Sequence, residues 1–199
     1  YDILSRLTGV TDKDGRKTTY TYDANGNRTS MTYPNGLVTT YTYNQSNRLT
    51  AEKVVGKNNR TVIEYIYTLG KAGERTLLTE TGGRTTAYQY DSLYRLTKDT
   101  VNQNGSTRET SYCYDKLSNR ISKTENGVKT TYTYNNLNQL LQENDILYTY
   151  DENGNQTGRT DGNDQTVFTY DSSGKLTRVV IQNGTGTTTE TYAYDWQGN

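Results

Sequence analysis

The chain has 199 residues, and its 22 Lys+Arg balance 22 Asp+Glu, so it lacks the electrostatic footprint of a nucleic-acid or polybasic membrane-surface binder. It has no His and one Cys, which removes the usual general base, most transition-metal sites and any intrachain disulfide. No apolar run approaches the roughly 18 residues of a membrane-crossing helix.

What is abundant instead is Thr, Tyr and Asn, at 37, 20 and 20 residues. Leu, Ile, Val and Phe supply only 32 residues, a share low enough to suggest disorder if Tyr did not bring large, partly apolar rings. The Tyr residues are placed with a period. Tyr1 reads as the second half of a pair, and complete pairs follow at Tyr20/Tyr22, Tyr41/Tyr43, Tyr65/Tyr67, Tyr88/Tyr90, Tyr112/Tyr114, Tyr132/Tyr134 and Tyr148/Tyr150. Phe168/Tyr170 is a substituted pair, and Tyr192/Tyr194 closes the series. Second members are spaced by 21, 21, 24, 23, 24, 20, 16, 20 and 24 residues, which is the self-similarity of a repeat protein.

Residues 18–40 serve as one unit. Thr19 to Tyr22 alternate with period two, which predicts a strand with Tyr rings on one face and Thr hydroxyls on the other. Asp23-Ala24-Asn25-Gly26-Asn27 predicts a tight turn, Arg28 to Tyr33 a returning strand, and Pro34-Asn35-Gly36 a second turn. The first turn reads in two lengths. Three residues separate the ends in Asp2…Arg6, Asn44…Arg48, Asp91…Arg95, Asn135…Gln139 and Asp171…Lys175, and four in Asp23…Arg28, Asp115…Arg120 and Asp151…Gln156. Asp and Arg pairs are expected to bridge these turns, with Leu7, Leu49, Leu96, Ile121, Leu140 and Leu176 packing near the rings. The unit after Tyr67 departs from the pattern and predicts a longer loop over residues 68–75. Ten anchors imply about 18–20 strands, too many for a flat open sheet. The expected fold is all-β: one array over residues 1–199 of tandem hairpins, forming a curved, spiralling antiparallel sheet.

Other chemistries fit less well. Asp23-x-Asn25-x-Asn27 and Asp151-x-Asn153-x-Asn155 space oxygens as calcium loops do, but lack the Gly and Glu positions of that motif and read as turns. Cys113 lies in a strand with no local cation to activate it. Paired carboxylates are not expected to do acid–base work on wet hairpin flanks. The Tyr face could stack on sugars, yet its uniform recurrence reads as packing, and Trp196 stands alone where wall-binding repeats use many Trp residues.

The segments YTYDANGNRTSMTYPNG, YTYNQSNRLT, YQYDSLYRLT, YCYDKLSNRIS and YTYDENGNQT resemble the YD repeats of the RHS family. That family comprises bacterial polymorphic toxins, toxin-complex subunits, wall-associated proteins and teneurins. The resemblance implies a sheet that spirals into a hollow shell, which in the bacterial members encloses a C-terminal toxic polypeptide. It makes structural anchors, with no catalytic, cofactor-binding or metal role, of Tyr20, Tyr22, Asp23 and Arg28; of Tyr41, Tyr43 and Arg48; and of Tyr88, Tyr90, Asp91 and Arg95. The same holds for Tyr112, Tyr114, Asp115 and Arg120, for Tyr132, Tyr134, Tyr148, Tyr150 and Asp151, and for Tyr170, Asp171, Tyr192, Tyr194 and Asp195. The chain begins within a repeat and ends within a turn, so it is expected to be part of a longer, secreted or cell-surface protein. Expected partners are flanking repeats and an enclosed C-terminal polypeptide of the same parent, with self-association through sheet edges. Adhesion to cell-surface or cell-wall glycans is the alternative; neither nucleic acid nor membrane insertion is expected.

Overall fold

The computed structural model describes residues 1–195 and divides into two compact units, 1–111 and 112–199. The first unit carries β1 (Gly9–Thr11), β2 (Lys17–Tyr22), β3 (Arg28–Thr32), β4 (Val38–Tyr43), β5 (Leu49–Val55), β6 (Thr61–Leu69), β7 (Arg75–Glu80), β8 (Thr85–Tyr90) and β9 (Leu96–Gln103). The strand β10 (Ser106–Tyr114) runs across the division. The second unit continues with β11 (Arg120–Glu125), β12 (Val128–Tyr134), β13 (Leu140–Glu143), β14 (Ile146–Tyr150), β15 (Gln156–Asp161), β16 (Asp164–Tyr170), β17 (Leu176–Asn183) and β18 (Gly186–Thr191). Eighteen strands among the described residues agree with the count expected from the anchors, and no α-helix accompanies them.

Every pairing joins chain neighbours in antiparallel register. From β1 to β10 each strand pairs with the next, and from β11 to β18 the same rule holds. Turns leading from an even strand to an odd one therefore share one rim of each unit. Turns from odd to even share the other, where Asn104-Gly105 and Asn126-Gly127 take paired positive φ values (50° and 77°; 47° and 84°). Positive φ at both central residues is the two-residue hairpin geometry that Asn-Gly favours.

The first-rim turn has one length, not two. In residues 23–27 the Asp23 N–H donates to the Asn27 carbonyl at 2.9 Å, and the Gly26 N–H donates to the Asp23 carbonyl at 3.2 Å. The same two bonds close residues 2–6, 44–48, 70–74, 91–95, 115–119, 135–139, 151–155 and 171–175. We number each turn 1 to 5 from its Asp-type corner. Position 4 is always left-handed, occupied by Gly26, Gly73, Gly154 or Gly174, and elsewhere by Ser5, Asn47, Tyr94, Ser118 or Asn138. The apparent second length came from counting to Arg28, Arg120 and Gln156. These lie one residue past the turn, at the strand-opening place that Leu7, Leu49, Leu96, Leu140 and Leu176 hold in other units. Ile121 follows Arg120 and so falls one place further on, 40% exposed rather than against the rings.

Nor is residues 70–74 a longer loop. Gly70 takes the corner and Leu69 the place of the second Tyr, so Tyr67 is the first ring of its unit, not the second. The carboxylate comes from the other end of this turn. A Cβ on Gly70 would lie within bonding distance of Glu74 Oε1, because Glu74 fills the space that an Asp side chain fills elsewhere. A further turn of the same type, 12–16, joins β1 to β2 on the opposite rim, with Asp12 Oδ2 accepting from Arg16 Nε at 2.8 Å. No Tyr pair precedes it, so the Tyr period could not reveal it.

Seven first-rim hairpins carry the same bulge. Register slips between Thr21 and Tyr22, Thr42 and Tyr43, Thr68 and Leu69, Gln89 and Tyr90, Thr133 and Tyr134, Thr149 and Tyr150, and Thr169 and Tyr170. The extra residue sits in the returning strand and is Thr29, Thr50, Thr76, Thr97, Leu141, Thr157 or Thr177. Thr50, Thr76 and Thr177 turn their hydroxyls onto the carbonyls of Thr42, Thr68 and Thr169 at 3.0–3.2 Å. Thr29 and Thr157 meet the hydroxyls of Thr21 and Thr149 on the face away from the rings. At Thr50, Thr76 and Thr177 the bulge alcohol thus supplies a bond to a carbonyl beside the slip.

The core is shallow and lies mainly on the tyrosine face, with Ser122, opposite Thr131, buried on the other. Its buried members include Tyr132, Val101, Val179 and Asp99, together with Thr39, Thr86 and Thr110. These threonines precede the first Tyr of their pairs by two residues and share the ring face, so Thr is not confined to the opposite side. Thr39 stands between Met31 and Val54, Thr86 between Leu78 and Val101, and Thr110 opposite Asp99; Thr110 is 2% exposed.

Candidate functional site: the repeat framework

Two sets of side chains recur: ring pairs along the strands and polar clamps along the rim. The second Tyr of each pair ties one hairpin to the preceding one. Tyr22 Oη donates to the Leu7 carbonyl (2.8 Å), Tyr43 to Arg28 (3.0 Å) and Tyr90 to Arg75 (2.8 Å). In the second unit Tyr134 reaches Arg120 (3.0 Å), Tyr150 Leu140 (2.9 Å), Tyr170 Gln156 (3.0 Å) and Tyr194 Leu176 (2.8 Å). The acceptor is always the strand-opening carbonyl of the previous unit, so the phenol joins repeats rather than closing its own hairpin. Tyr114 ends β10 at the equivalent place. Burial pushes the phenols of Tyr43, Tyr90, Tyr134 and Tyr150 above their ordinary pKa.

Tyr43→Phe deletes one such tie and leaves the ring. We expect a loss of about 0.5–1.5 kcal/mol, readable as a lower urea midpoint at unchanged slope. A Phe variant as stable as the parent would show that water replaces the phenol at no cost.

The first Tyr faces a variable partner on the returning strand. Tyr20 stands opposite Met31, Tyr41 opposite Glu52, Tyr88 opposite Asp99, Tyr132 opposite Glu143 and Tyr148 opposite Arg159. Phe168 fills this place opposite Val179, so a hydroxyl is not required there. Tyr112 occupies it on β10, and Tyr192 is exposed, donating to Glu190 Oε2 at 2.7 Å.

Arginines fall into two groups that the Asp…Arg spacing had merged. Arg6 and Arg95 hold position 5, where Nε donates to Asp2 and Asp91 Oδ2 at 2.7 Å. Arg48 holds position 5 opposite Asn44, and its Nη1 reaches the Lys71 carbonyl at 3.3 Å in the next turn. Arg28, Arg75 and Arg120 instead open strands and lie over rings. Arg28 is 5.0 Å from the Tyr41 centroid, Arg75 4.3 Å from Tyr67 and Arg120 4.6 Å from Tyr132. Asp23 and Asp115 consequently clamp Asn27 and Asn119, not Arg28 and Arg120.

The corner carboxylate is saturated by its own turn. Asp23 Oδ1 accepts from the N–H groups of Asn25 and Asn27, and Oδ2 accepts from Asn27 Nδ2. Asp151 is arranged identically with Asn153 and Asn155, which leaves neither loop with its oxygens turned toward a common cation. These donors hold Asp23 and Asp151 below the usual carboxylate range, the side-chain amide leading; at Asp2, Asp91 and Asp171 the position-5 N–H leads. Among the described residues no three His, Cys, Asp or Glu side chains gather to hold a metal. Cys113 is exposed and free on β10. The turn that Asp195 would open, and Trp196, lie outside the described residues.

The family model described as RHS Repeat matches residues 1–38 and 25–56, and that described as Teneurin YD-shell matches residues 71–199. No curated protein sequence matches the chain. Among solved structures, the crystal structure of TcdB2-TccC3-TEV is similar over 92% of this chain, at 20% identity and a TM-score of 0.62. A Photorhabdus luminescens Tc holotoxin pore carrying a TccC3 mutation is similar over 90%, at 20% identity and a TM-score of 0.64. The chain spans about a tenth of each of those chains, and the likeness is one of fold.

Proposed function

The chain belongs to the teneurin YD-shell family, and on that premise we propose that it is a wall segment of a hollow shell, closed by flanking repeats of its parent and enclosing a C-terminal toxin or effector polypeptide. The single observation that supports this most is the bulge repeated at the same rim. Each adds a residue to the returning strand, and a bulge bends its strand and raises the local twist. Bends that recur in step favour a curved wall over a flat sheet.

In this reading the array is one domain, and its Tyr, Asp and Arg anchors are framework residues without a catalytic role. The parent is secreted or displayed at a cell surface. Among the described residues β18 pairs only with β17, so its other edge is where a flanking repeat docks, or a second copy in the isolated segment.

Limited proteolysis of the parent tests the enclosure. The C-terminal polypeptide should resist cleavage in the intact protein and become sensitive once the two-strand repeat 156–175 is deleted. Equal cleavage in both forms would overturn the reading. Saturable binding of cell-wall oligosaccharides to the repeats would instead support adhesion, the role suggested by rings flanked with Asn and Thr.

A further inference from the structure

First-rim turns touch one another along each unit, and at four junctions position 5 of one turn meets position 4 of the next; Asn25 adds a second bond to Asn47 Oδ1, and Arg6 and Arg48 reach the Asp23 and Lys71 carbonyls of the turns that follow them. We propose that at these junctions this residue pair is a recognition element between successive repeats, favouring some hairpin neighbours over others. Two compatible combinations occur.

In the first, both residues are Asn. Asn27 Nδ2 donates to Asp23 Oδ2 within its own turn at 2.9 Å and to Asn47 Oδ1 of the next at 2.8 Å. Asn119 Nδ2 does the same with Asp115 Oδ2 at 3.0 Å and Asn138 Oδ1 at 2.9 Å. A primary amide carries two N–H groups, so one locks the turn and the other reads its neighbour. The acceptors have φ near +58° and +59°, a region that Asn tolerates better than most residues.

In the second combination, a long side chain at position 5 lies over Gly at the next position 4. A Cβ on Gly73 would come 2.6 Å from Arg48 Cζ, and one on Gly154 would come 3.2 Å from Gln139 Nε2. At these two junctions a larger residue at position 4 would have to displace the end of the side chain above it, whereas a Cβ on Gly26, which follows Arg6, would meet nothing. The mixed combinations forgo these contacts: Asn at position 4 would have to displace the long side chain, and Asn above Gly has no side-chain acceptor.

Glu74 before Tyr94 follows neither combination, and Asn155 before Gly174 is the case of Asn above Gly. Asn155 is bonded to Asp151 as Asn27 is to Asp23, yet the next position 4 is Gly174. A Cβ at Gly174 would meet only Asn155 Oδ1, at a comfortable 3.8 Å, so there is room for the missing amide. The partner recognised is therefore a neighbouring hairpin with the complementary position-4 residue. This holds whether or not the array encloses anything, so it can fail separately from the enclosure reading.

The test is unfolding of the 199-residue chain. Gly174→Asn should raise Tm by about 2–4 °C relative to Gly174→Ala, which shares the backbone cost of a side chain at positive φ. The gain should vanish in an Asn155→Ala background. Gly73→Asn should lower Tm, and adding Arg48→Asn should recover at least half of that loss. Equal Tm for Asn and Ala at 174, or additive effects in both pairs, would overturn the proposal.

Discussion

Tyr132→Ala is expected to destabilise the chain by about 3–5 kcal/mol, the range for deleting a buried ring. Tyr132 is 7% exposed, whereas most other rings of the tyrosine face are half-buried. It stands opposite Glu143 and beneath the Arg120 guanidinium, so truncation removes apolar burial and leaves that cation over a void. Tyr132→Phe should be nearly neutral, because Phe168 holds the equivalent place. Arg120→Leu should cost little, since Leu opens the corresponding strand in five other units and the Tyr134 bond goes to the backbone. Urea unfolding of the three variants checks this ordering. A Tyr132→Ala loss below about 1 kcal/mol would mean that the tyrosine face is not the core.

Stability should be flat through neutral pH and collapse at both ends of the scale. No His is present to titrate near pH 7. The corner carboxylates of Asp2, Asp12, Asp23, Asp91, Asp151 and Asp171 are held below the ordinary value of 3.8. Groups with depressed folded-state pKa stabilise fully above their unfolded value and lose that contribution as pH falls through the folded one. Below about pH 4, several turns along each rim therefore weaken together. The buried phenols act with the opposite sign: raised above 10.0, they stabilise below the unfolded value and fail as pH climbs through the folded one. Melting temperatures measured from pH 2 to 11 should show a plateau between about 5 and 9. A step near pH 7, or an unchanged Tm at pH 2.5, would contradict the argument.

The strands were legible because Tyr-x-Tyr alternation fixes a face and its period fixes a repeat. Turn length was harder to read, since Arg opens strands as well as closing turns, and only backbone hydrogen bonds separate Arg28 from Arg6. Residues 70–74 were misread for a related reason: the turn needs a carboxylate in one place, and Glu74 delivers from position 5 what Asp delivers from position 1. The bulge Thr was visible as a recurring Leu-Thr, but its purpose depends on a register slip that no local pattern announces. The phenol ties link residues up to 18 apart through a backbone carbonyl, which has no residue identity to read. Asn47 and Asn138 looked like ordinary turn residues, and their reach toward Asn27 and Asn119 emerges only when hairpins stand side by side.

Those phenol ties and rim contacts share a short range, because each reaches the adjacent hairpin and stops. The energetics of such a chain resemble a row of coupled spins more than a globular core, with stability approximated by unit terms plus nearest-neighbour terms. Folding can then begin at any well-matched pair of hairpins and spread in both directions. A gene encoding this array can gain or lose whole hairpins by unequal recombination, and the product remains foldable wherever the new junction matches. Leu69, which offers no hydroxyl to the hairpin before it, marks one junction where propagation relies on strand pairing and on the reach of Arg48 to the Lys71 carbonyl.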